Sequence, residues 1–536
     1  MNSIWNKNFA AFKNRFPQLA LMTGSQAVAP ETFWKLENAK NGMITASEAG
    51  ESGGGLVRLH SAYNPEREAY GAVGRDEVFE KSAIVFYGFG LGYHVIECAR
   101  KILTEKKSNR LVLIEPDIAH FFAAMSVLDW TLVFEVENLI IAVGAPAESV
   151  LPLLEDGSRV NIGETGVSDS YFFDIPAFTA HAASYFDTVR SIVKRNQRKN
   201  EINAATLKKF GRLWCRNSLK NISQLQKLAG LTGLEKKAKA LPFLILGAGP
   251  SLETILPYIK DLSARTITVC VETALHTLLR AKVQPDFIIL TDPQFWAYRH
   301  IAGLRAPESF LITELSAYPS VFRFTCRKLL LCGSQFPVGQ YFEEKLGIKP
   351  GDLGTGGSVA SCAWNFAHFC GADEIFTAGL DMAFPEKQTH IKGSSAEQTW
   401  HTLSSRITTP EKFTSAALFS ANAITSKDYK GCPVLTDSRM KMFAWWFESR
   451  LAGCPETKTY TLCPQGLVVP GIQNAELSAL LSRPEISIEK KAFLSAAAEL
   501  PPLCSSASQK TELLQLISQF PDDAFLSQYP FLREYL

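Results

Sequence analysis

The stretch Leu241-Pro-Phe-Leu-Ile-Leu-Gly-Ala-Gly-Pro-Ser-Leu252 decides the fold class of this chain. Its apolar half predicts a short buried strand, and its second half predicts an abrupt glycine turn followed by a helix over about 252–259. A strand, a glycine turn and a helix N-terminus together suit an anionic ligand, because glycine admits close approach and the first helical N–H groups face the charge. The GxGPS spacing differs from the dinucleotide fingerprint GxGxxG and from the P-loop. The stretch therefore favours an α/β domain with a nucleotide site of unusual type, although a tight structural connection explains the turn alone equally well.

Length and composition place limits on what the protein is. The 536 residues exceed what one core supports, so about two to four domains are expected. A formal net charge of +2 gives no general reason to expect nucleic acid or a membrane surface as partner. The eleven cysteines contain no CxxC pair, which argues against a disulfide framework and a zinc site. Without an apolar leader or a bilayer-length apolar run, the sequence predicts a cytoplasmic protein with no membrane span.

Pattern changes divide the chain into four predicted segments. Residues 1–190 are expected to form a Rossmann-like α/β domain, and 191–240 a basic helical connector with a solvated face. In 241–445, strand and helix patterns alternate, which predicts a doubly wound, mostly parallel sheet as the catalytic domain. The remaining segment, 446–536, is predicted to form a helical C-terminal domain.

The N-terminal segment contains its own strand, glycine turn and strand. Gly88-Phe-Gly-Leu-Gly92 follows an apolar run, and the next apolar run ends in Glu115. In a Rossmann-like unit such an acid would hold a ribose hydroxyl, and the pattern also suits an adenosylmethionine methyltransferase. No third element of a methyltransferase site follows, so a structural α/β domain is the preferred interpretation.

Polar and acidic residues gather after the strands of the central segment, where ligands of an open parallel sheet bind. The run Thr355-Gly-Gly-Ser358 precedes a predicted helix over 359–370, with Ser358 as its N-cap and Gly371 as its end. The functional interpretation is that the run forms a second cradle of N–H groups for an anion, and it is preferred over a capped helix start without a ligand. Residues expected at this edge are Gly247, Gly249, Pro250, Ser251, Glu272, Asp292, Thr355, Gly356, Gly357, Ser358 and Asp381.

The stretch after Asp381 is polar and loop-like and contains His390, with His401 further on. A loop over the ligand edge suits a lid that carries a general base, because histidine holds or releases a proton near neutral pH. An ordinary surface position is the alternative for each histidine. His390 is favoured for a role and His401 is not.

The motifs GAGPSL, VETAL, QPDFIILTDPQ, TGGSVA and GLDMAF…THIKG, together with Ala62-Tyr-Asn-Pro-Glu-Arg67 and Gly88-Phe-Gly-Leu-Gly92, resemble the motility-associated factor (Maf) glycosyltransferases. The resemblance extends from about residue 60 to 440. It implies an inverting transferase that moves a nonulosonic, sialic-acid-like sugar, such as pseudaminic acid, from a CMP donor to Ser or Thr hydroxyls of flagellin, for flagellar assembly and motility. The implied fold of the central domain is that of the bacterial sialyltransferases.

The resemblance also implies roles for individual residues. By it, Glu272 and Asp292 lie near the nucleotide and donor sugar, Asp381 corresponds to an acid at a strand end, and His390 or His401 corresponds to the base. Asp292, Asp381 and His390 are the expected catalytic residues. The CMP phosphate region is expected at Gly247, Gly249, Pro250 and Ser251, and the region near cytidine at Thr355, Gly356, Gly357 and Ser358. No cofactor is required, although Mg²⁺ is compatible with the sequence, and no metal ligands are assigned.

Two other functions stay open at the level of sequence. The central segment also resembles an archaeal-type pterin diphosphokinase, which would use ATP and Mg²⁺. A non-catalytic factor that binds flagellin is the third alternative, and it predicts no effect of replacing His390. The segment Cys463–Gly471 departs from the family pattern and receives no role.

Overall fold

The computed structural model describes residues 3–24, 26–51, 55–154, 169–354 and 357–536, and side chains at 152 and 198–207 lie outside this description. The chain divides into two compact units, Met1–Lys208 and Lys209–Leu536. The division falls within one long helix, Ala183–Asn221.

The N-terminal unit combines a small antiparallel sheet with a parallel one. In the antiparallel sheet, β2 lies between β1 and β3. In the parallel sheet the strand order is β6-β5-β4-β7. The strands are β1 Trp34–Asn38, β2 Ile44–Ala49, β3 Leu56–Arg58, β4 Ala83–Tyr87, β5 Arg110–Glu115, β6 Leu139–Val143 and β7 Ser170–Asp174. The helices are α1 Ser3–Arg15, α2 Pro17–Thr23, α3 Pro65–Val73, α4 Asp76–Phe79, α5 Tyr93–Thr104, α6 Ile118–Met125, α7 Thr131–Glu135, α8 Ala147–Leu154 and α9 Pro176–Thr179. Helix α10, Ala183–Asn221, begins in this unit and continues into the C-terminal one.

The C-terminal unit is built on a nine-stranded sheet in the order β18-β17-β14-β9-β10-β11-β12-β13-β8. Every neighbouring pair in this sheet is parallel. Strands β15 and β16 form a separate antiparallel pair. The strands are β8 Ala229–Gly230, β9 Phe243–Leu246, β10 Ile267–Val271, β11 Phe287–Ile289, β12 Arg305–Thr313, β13 Thr325–Leu331, β14 Glu374–Ala378, β15 Ile424–Lys427, β16 Pro433–Thr436, β17 Lys458–Thr461 and β18 Ile472–Asn474.

Helices cover both faces of this sheet. The α-helices are α11 Ile259–Arg265, α12 Glu272–Arg280, α13 Phe295–Arg299, α14 Pro337–Lys345, α15 Val359–Phe369, α16 Ser395–Leu403, α17 Pro410–Leu418, α18 Ser438–Ala452, α19 Leu477–Leu481, α20 Ser487–Glu499, α21 Ala507–Gln519 and α22 Asp523–Gln528. In β9, Phe243 and Ile245 pack in one core with Trp364, whereas Leu244 and Leu246 pack in a second core. Because both faces of the strand are covered, its residues read as a continuous apolar run.

The predicted fold class is confirmed: the chain is a multidomain α/β protein with parallel sheets, and the large sheet is doubly wound. After β9 the chain builds β10 to β13 on one side and then returns to place β14 on the other side. The strands β9 and β14 therefore flank a topological switch point, which is the place where ligands bind in such sheets.

The division into units differs from the predicted segments. The compact units divide at residues 208 and 209, not at 190, 240 or 445. The segment 446–536 does contain helices, but β17 and β18 from it extend the large sheet beside β14. Its strands were not predicted because each is only three or four residues long and neither contains an apolar run.

Two predicted elements of the central segment are also different in the structure. The helix expected over 252–259 is a pair of 3-10 turns, Pro250–Thr254 and Leu256–Tyr258, and α11 begins only at Ile259. Pro257 has no N–H to donate to an α-helical hydrogen bond, which favours the tighter turns. Strand β12 was not predicted, because only the last five of its nine residues are continuously buried.

Among the described residues, none of the helices is both long enough and apolar enough to cross a membrane. Each of the eleven cysteines is free.

Candidate active site

The glycine turn after β9 lies against the loop that follows β14. The N–H groups of Gly247 and Gly249 donate to the carbonyl oxygens of Ala378 and Gly379, at 2.8 and 2.9 Å. A Cβ on Gly247 would lie 2.3 Å from the Gly379 oxygen, and one on Gly249 would lie 2.4 Å from Asp381 Oδ2. The glycines are therefore required first by the close approach of two backbone segments.

Asp381 and Ser251, both expected at the site, form a buried pair. The backbone N–H of Ser251 donates to Asp381 Oδ2 at 3.0 Å, and the Ser251 hydroxyl donates to Asp381 Oδ1. Burial raises the pKa of Asp381 to about 6, while the hydrogen bonds from Ser251 act in the opposite direction. Both carboxylate oxygens of Asp381 are thus engaged in fixing the glycine turn.

The segment Cys463–Gly471, for which no role was predicted, packs against this pair. The N–H of Leu467 donates to the Asp381 carbonyl at 2.8 Å, and the Cys463 thiol donates to the Ser251 carbonyl at 3.5 Å. A Cβ on Gly466 would lie 2.8 Å from the Asp381 carbonyl oxygen. The segment is a structural support for the switch point.

Three acidic residues follow the neighbouring strands β10, β11 and β12. Glu272 and Glu314 are buried, and Asp292 is half-buried. Burial, and secondarily the charge of Asp292, raises the pKa of Glu272 to about 8. Burial raises the pKa of Glu314 to about 7 against the hydrogen bonds from Ser316 and Gln335, with Asp292 contributing. Burial also raises the pKa of Asp292.

These three carboxyls differ in their hydrogen bonds. Asp292 accepts from the N–H of Gln294 at 2.7 Å, and Glu314 accepts from the Ser316 hydroxyl and the Gln335 N–H. Glu272 Oε2 is buried and has no hydrogen-bond partner. An unpartnered buried oxygen at the carboxyl edge of a parallel sheet is the kind of group that a ligand satisfies. Glu314 was missed by the sequence analysis because its strand was missed.

Two asparagines on α10 hold the loops that carry the acidic residues. Asn217 Nδ2 donates to the carbonyls of Pro293 and Ser316 at 2.9 and 3.0 Å. Asn221 Nδ2 donates to the carbonyls of Leu315 and Ala317, both at 2.8 Å. The sequence contained one signal for them: two poor helix formers four residues apart lie on one face of a helix.

Ser358 is the N-cap of α15, as predicted, and its hydroxyl accepts from the Ala360 N–H at 3.3 Å. Gly371 follows the helix with φ of +90°, the left-handed conformation expected at a helix end. Gly357 is exposed with φ of +70°. Thr355 and Gly356, the other members of the predicted cradle, lie outside the described residues.

Cys362 on α15 lies among the acidic residues. Burial raises the pKa of its thiol to about 11, with contributions from the charges of Glu314, Glu272 and Asp352. Its sulfur lies 3.8 Å from the hydroxyl of Thr291, next to Asp292. Helix α15 therefore runs beside the carboxyls that follow β10 to β12.

The loop carrying His390 is fixed to the glycine turn. The Ile391 N–H donates to the Ala248 carbonyl at 2.9 Å, and Lys392 contacts Glu253 through its backbone N–H and its ammonium group, at 3.0 and 3.1 Å. Burial lowers the pKa of the half-exposed His390. The charge of His390, after burial itself, contributes to lowering the pKa of His300 to about 4. The chain at His390 is thus held at the turn through the next residue, and the His390 imidazole contacts the Thr389 hydroxyl at 3.2 Å.

His401 lies in the last turn of α16 and is exposed. No contact described for it reaches the glycine turn or the acidic residues. The structure thus places His390, and not His401, next to the switch point.

The glycine turn of the N-terminal unit is occupied by the protein's own side chains. The Leu91 N–H donates to His60 Nε2 at 2.9 Å. Added Cβ atoms on Gly88, Gly90 and Gly92 would lie 2.2 Å from the Phe178 carbonyl, 2.7 Å from His60 Nε2 and 2.3 Å from the Trp130 ring. This packing supports the structural interpretation of the turn.

Comparison with known proteins agrees with this architecture. Residues 60–174 match the sequence model of the glycosyltransferase Maf N-terminal domain. Over 97% of this chain and 81% of the other, the fold is similar to that of a Maf glycosyltransferase from Magnetospirillum magneticum AMB-1, with a TM-score of 0.57 and 16% identity. The chain has the Maf fold and a Maf N-terminal domain. Residues 216–387, which include most of the edge described above, match the model of the 6-hydroxymethylpterin diphosphokinase MptE-like family.

Relatives of the chain occur in Treponema pallidum (strain Nichols). One is 34% identical over 231 residues, which are 38% of this chain and 59% of the relative. A second is 30% identical over 267 residues, which are 47% of this chain and 84% of the relative. Both are described as uncharacterized proteins, so they carry no activity over to this chain.

Proposed function

We propose that this protein is a glycosyltransferase that moves a nonulosonic, sialic-acid-like sugar from a CMP donor to Ser or Thr hydroxyls of flagellin. The observation that carries the proposal is the arrangement at the switch point of the nine-stranded sheet. The Ser251–Asp381 pair, the His390 imidazole and the carboxyls after β10 to β12 follow strands whose carboxyl ends share one edge. The likeness to a Maf glycosyltransferase in fold and N-terminal domain supports the same class of reaction.

The protonation states at this edge suit an anionic donor. A pKa of about 8 favours the protonated form of Glu272 at neutral pH, and burial raises the pKa of Glu314 to about 7, which favours its protonation in the same direction. A neutral carboxylic acid donates a hydrogen bond to a phosphate or a sugar carboxylate, whereas an ionised one would repel it. The edge therefore repels a CMP-linked acid less strongly than the same number of ionised carboxylates would.

The proposed chemistry is an inverting displacement. His390, neutral because burial lowers its pKa, accepts the proton of the acceptor hydroxyl as that oxygen attacks the anomeric carbon. The bond to the CMP phosphate breaks on the opposite face, and CMP leaves with the bonding electron pair. Asp292 faces the developing positive charge of the oxocarbenium-like transition state.

The other predicted site residues hold the nucleotide in this proposal. Asp381 acts as a positioning residue, because both of its oxygens hold Ser251. The glycine turn borders the phosphate region, and the loop before α15 borders cytidine. The residues assigned to binding are Gly247, Gly249, Pro250, Ser251, Glu272, Thr355, Gly356, Gly357 and Ser358.

The direct test is transfer by the purified chain from CMP-pseudaminic acid, or another CMP-nonulosonate, to flagellin. A mass increase of flagellin equal to the sugar residue, absent when the donor is omitted, is the expected result. Thermal unfolding with CMP measures donor binding separately, since a ligand of the native state raises Tm. No transfer and no CMP stabilisation would contradict the proposal.

A second candidate is a diphosphokinase that transfers a diphosphate from ATP to a pterin. The match of residues 216–387 to the MptE-like model favours it, and clustered carboxyls suit Mg²⁺. It predicts stabilisation by ATP with Mg²⁺ and none by CMP. The same melting experiment therefore separates the two candidates.

A further inference from the structure

A cluster of two carboxylates and two imidazoles is buried in the N-terminal unit. Glu48 comes from β2, Glu115 from the end of β5 and His120 from α6, while His181 lies in the 3-10 turn Ala180–Ala182. Glu115 is 0%, His120 1% and Glu48 6% exposed. Four separate chain segments thus bring their ionisable side chains to one apolar place. The proposed transferase chemistry uses none of them.

Each imidazole lies between the two carboxylates. Toward Glu115, His181 Nε2 lies 3.0 Å from Oε1 and His120 Nδ1 lies 3.3 Å from Oε2. Toward Glu48, His120 Nε2 lies 3.1 Å from Oε1 and His181 Nδ1 lies 4.0 Å from Oε2. The two rings are stacked with centroids 4.1 Å apart and planes at 6°. One nitrogen of each ring therefore faces Glu115, and the other faces Glu48.

Several of these buried atoms lack a hydrogen bond. His181 Nδ1 is inaccessible and has no hydrogen-bond partner, and the contact between His120 Nδ1 and Glu115 Oε2 at 3.3 Å is an ion pair without hydrogen-bond geometry. Leaving a buried polar atom unsatisfied costs about 1–3 kcal/mol, so a native protein retains such atoms where an ion or another ligand satisfies them. Trp34 and Phe33 pack edge-on against His120, which makes the surroundings apolar.

We propose that this cluster binds a divalent transition-metal ion of the zinc class. Ligand atoms of Glu48, His120 and His181 lie within 4.8 Å of one another, and the two stacked rings would tilt toward each other to direct one nitrogen each at a shared ion. Two imidazoles and a carboxylate are a zinc ligand set that leaves one position open, and imidazole disfavours Mg²⁺ and Ca²⁺. Glu115 contacts the ring nitrogens on the side away from Glu48 and would orient both rings, as outer carboxylates do in histidine metal sites.

The ion would join elements that the backbone does not connect directly. Glu48 belongs to the antiparallel sheet, His120 to the helix after β5, and His181 to the segment after β7. Binding of the ion to the folded chain would stabilise the native state over the unfolded one. The inference is independent of the transferase proposal, because it concerns only the N-terminal unit.

The experiment uses the tag-free full chain, dialysed against a chelator and then against metal-free buffer. Calorimetric titration with Zn²⁺ is expected to show one equivalent bound in the N-terminal site, and Co²⁺ is expected to give the visible absorption of a protein-bound ion. Both metals are expected to raise Tm. Glu48→Gln and His181→Ala remove this equivalent, and Glu115→Gln weakens binding by about 10–100-fold.

A matched control comes from the C-terminal unit. There His368, Cys454 and Glu456 form the other group of side chains in the described part of the chain that is close enough together to hold a metal ion. His368→Ala is expected to leave the equivalent assigned to Glu48, His120 and His181 unchanged.

Two results would overturn the proposal. One is a wild-type chain that binds neither ion and melts at the same temperature with and without chelator, which would make the cluster a charge-balanced network alone. The other is Zn²⁺ binding that survives in both Glu48→Gln and His181→Ala. Circular dichroism of each variant checks folding, and the wild-type result stands even if a variant fails to fold.

Discussion

At the scale of residues, Glu272 is a buried carboxyl whose folded-state pKa of about 8 lies above its ordinary value of 4.5. The folded chain therefore binds more protons than the unfolded chain between these two pH values, and the free energy of unfolding falls as pH rises through this window. The cause is burial of the charged form with one oxygen unpartnered. Such a residue costs stability at working pH, which is typical of functional sites.

Glu272→Gln is expected to raise Tm relative to the wild type at pH 9, and the difference is expected to shrink toward pH 4.5. A folded-state pKa even one unit above the unfolded one corresponds to about 1.4 kcal/mol, so a gain of at least a few degrees is expected. Thermal unfolding across this pH range measures it. Glu308→Gln is the matched control, because it makes the same substitution at an exposed position. A gain for Glu272→Gln that does not depend on pH would contradict the assignment.

His390 is the residue proposed to act as the general base. His390→Ala is expected to lower the transfer rate by about 10²–10⁴-fold, because the acceptor hydroxyl loses its base. His401→Ala is expected to retain the wild-type rate, since His401 is exposed on α16. Initial rates with a CMP donor and flagellin measure both variants. Equal transfer rates for His390→Ala and the wild type would contradict the assignment of His390 as the base.

At the scale of elements, the glycine turn after β9 is held by the loop after β14 rather than by a following helix. Backbone hydrogen bonds from Gly247 and Gly249, and the Ser251–Asp381 pair, connect two strands that neighbour each other at the switch point. The predicted helix N-terminus is replaced by 3-10 turns. Rigidity of the turn therefore comes from tertiary contacts.

Gly249→Ala tests this description, because the new Cβ would lie 2.4 Å from the Asp381 carboxylate and 2.7 Å from the Gly379 carbonyl oxygen. Overpacking of this kind is expected to cost about 1–3 kcal/mol, measured as the free energy of unfolding in urea. Gly453→Ala is the control in the same unit, since its Cβ meets only ordinary contacts at 3.6 Å. Two variants of equal stability would contradict the close approach.

At the scale of the whole molecule, the C-terminal unit is larger than the predicted catalytic segment. Strands β17 and β18 complete the sheet beside β14, and Leu503 and Cys504 donate hydrogen bonds to the carbonyls of Leu228 and Leu225. Residues beyond 445 thus contribute strands to the same sheet as the candidate active site and side chains to the same core.

A chain ending at residue 445 is therefore expected to lose cooperative unfolding and to aggregate, because removal of β17 exposes the edge of β14 and apolar core surface. Size-exclusion chromatography and thermal unfolding, with the full chain as the control, measure this outcome. A monomeric truncated chain with a cooperative transition would support the predicted boundary at 445 instead.

The sequence by itself determined the α/β class, strands β9 and β14 with their full bounds, the N-cap Ser358 and the gathering of polar residues after the central strands. These features are local, since apolar runs, glycine turns and caps act through neighbouring residues. Only the tertiary structure decided that Asp381 holds Ser251, that Glu314 joins Glu272 and Asp292, and that two asparagines of α10 support them. It also decided that Glu115 faces two histidines instead of a ribose. These pairs join residues far apart in the chain, and their pKa values depend on burial, which no local pattern contains.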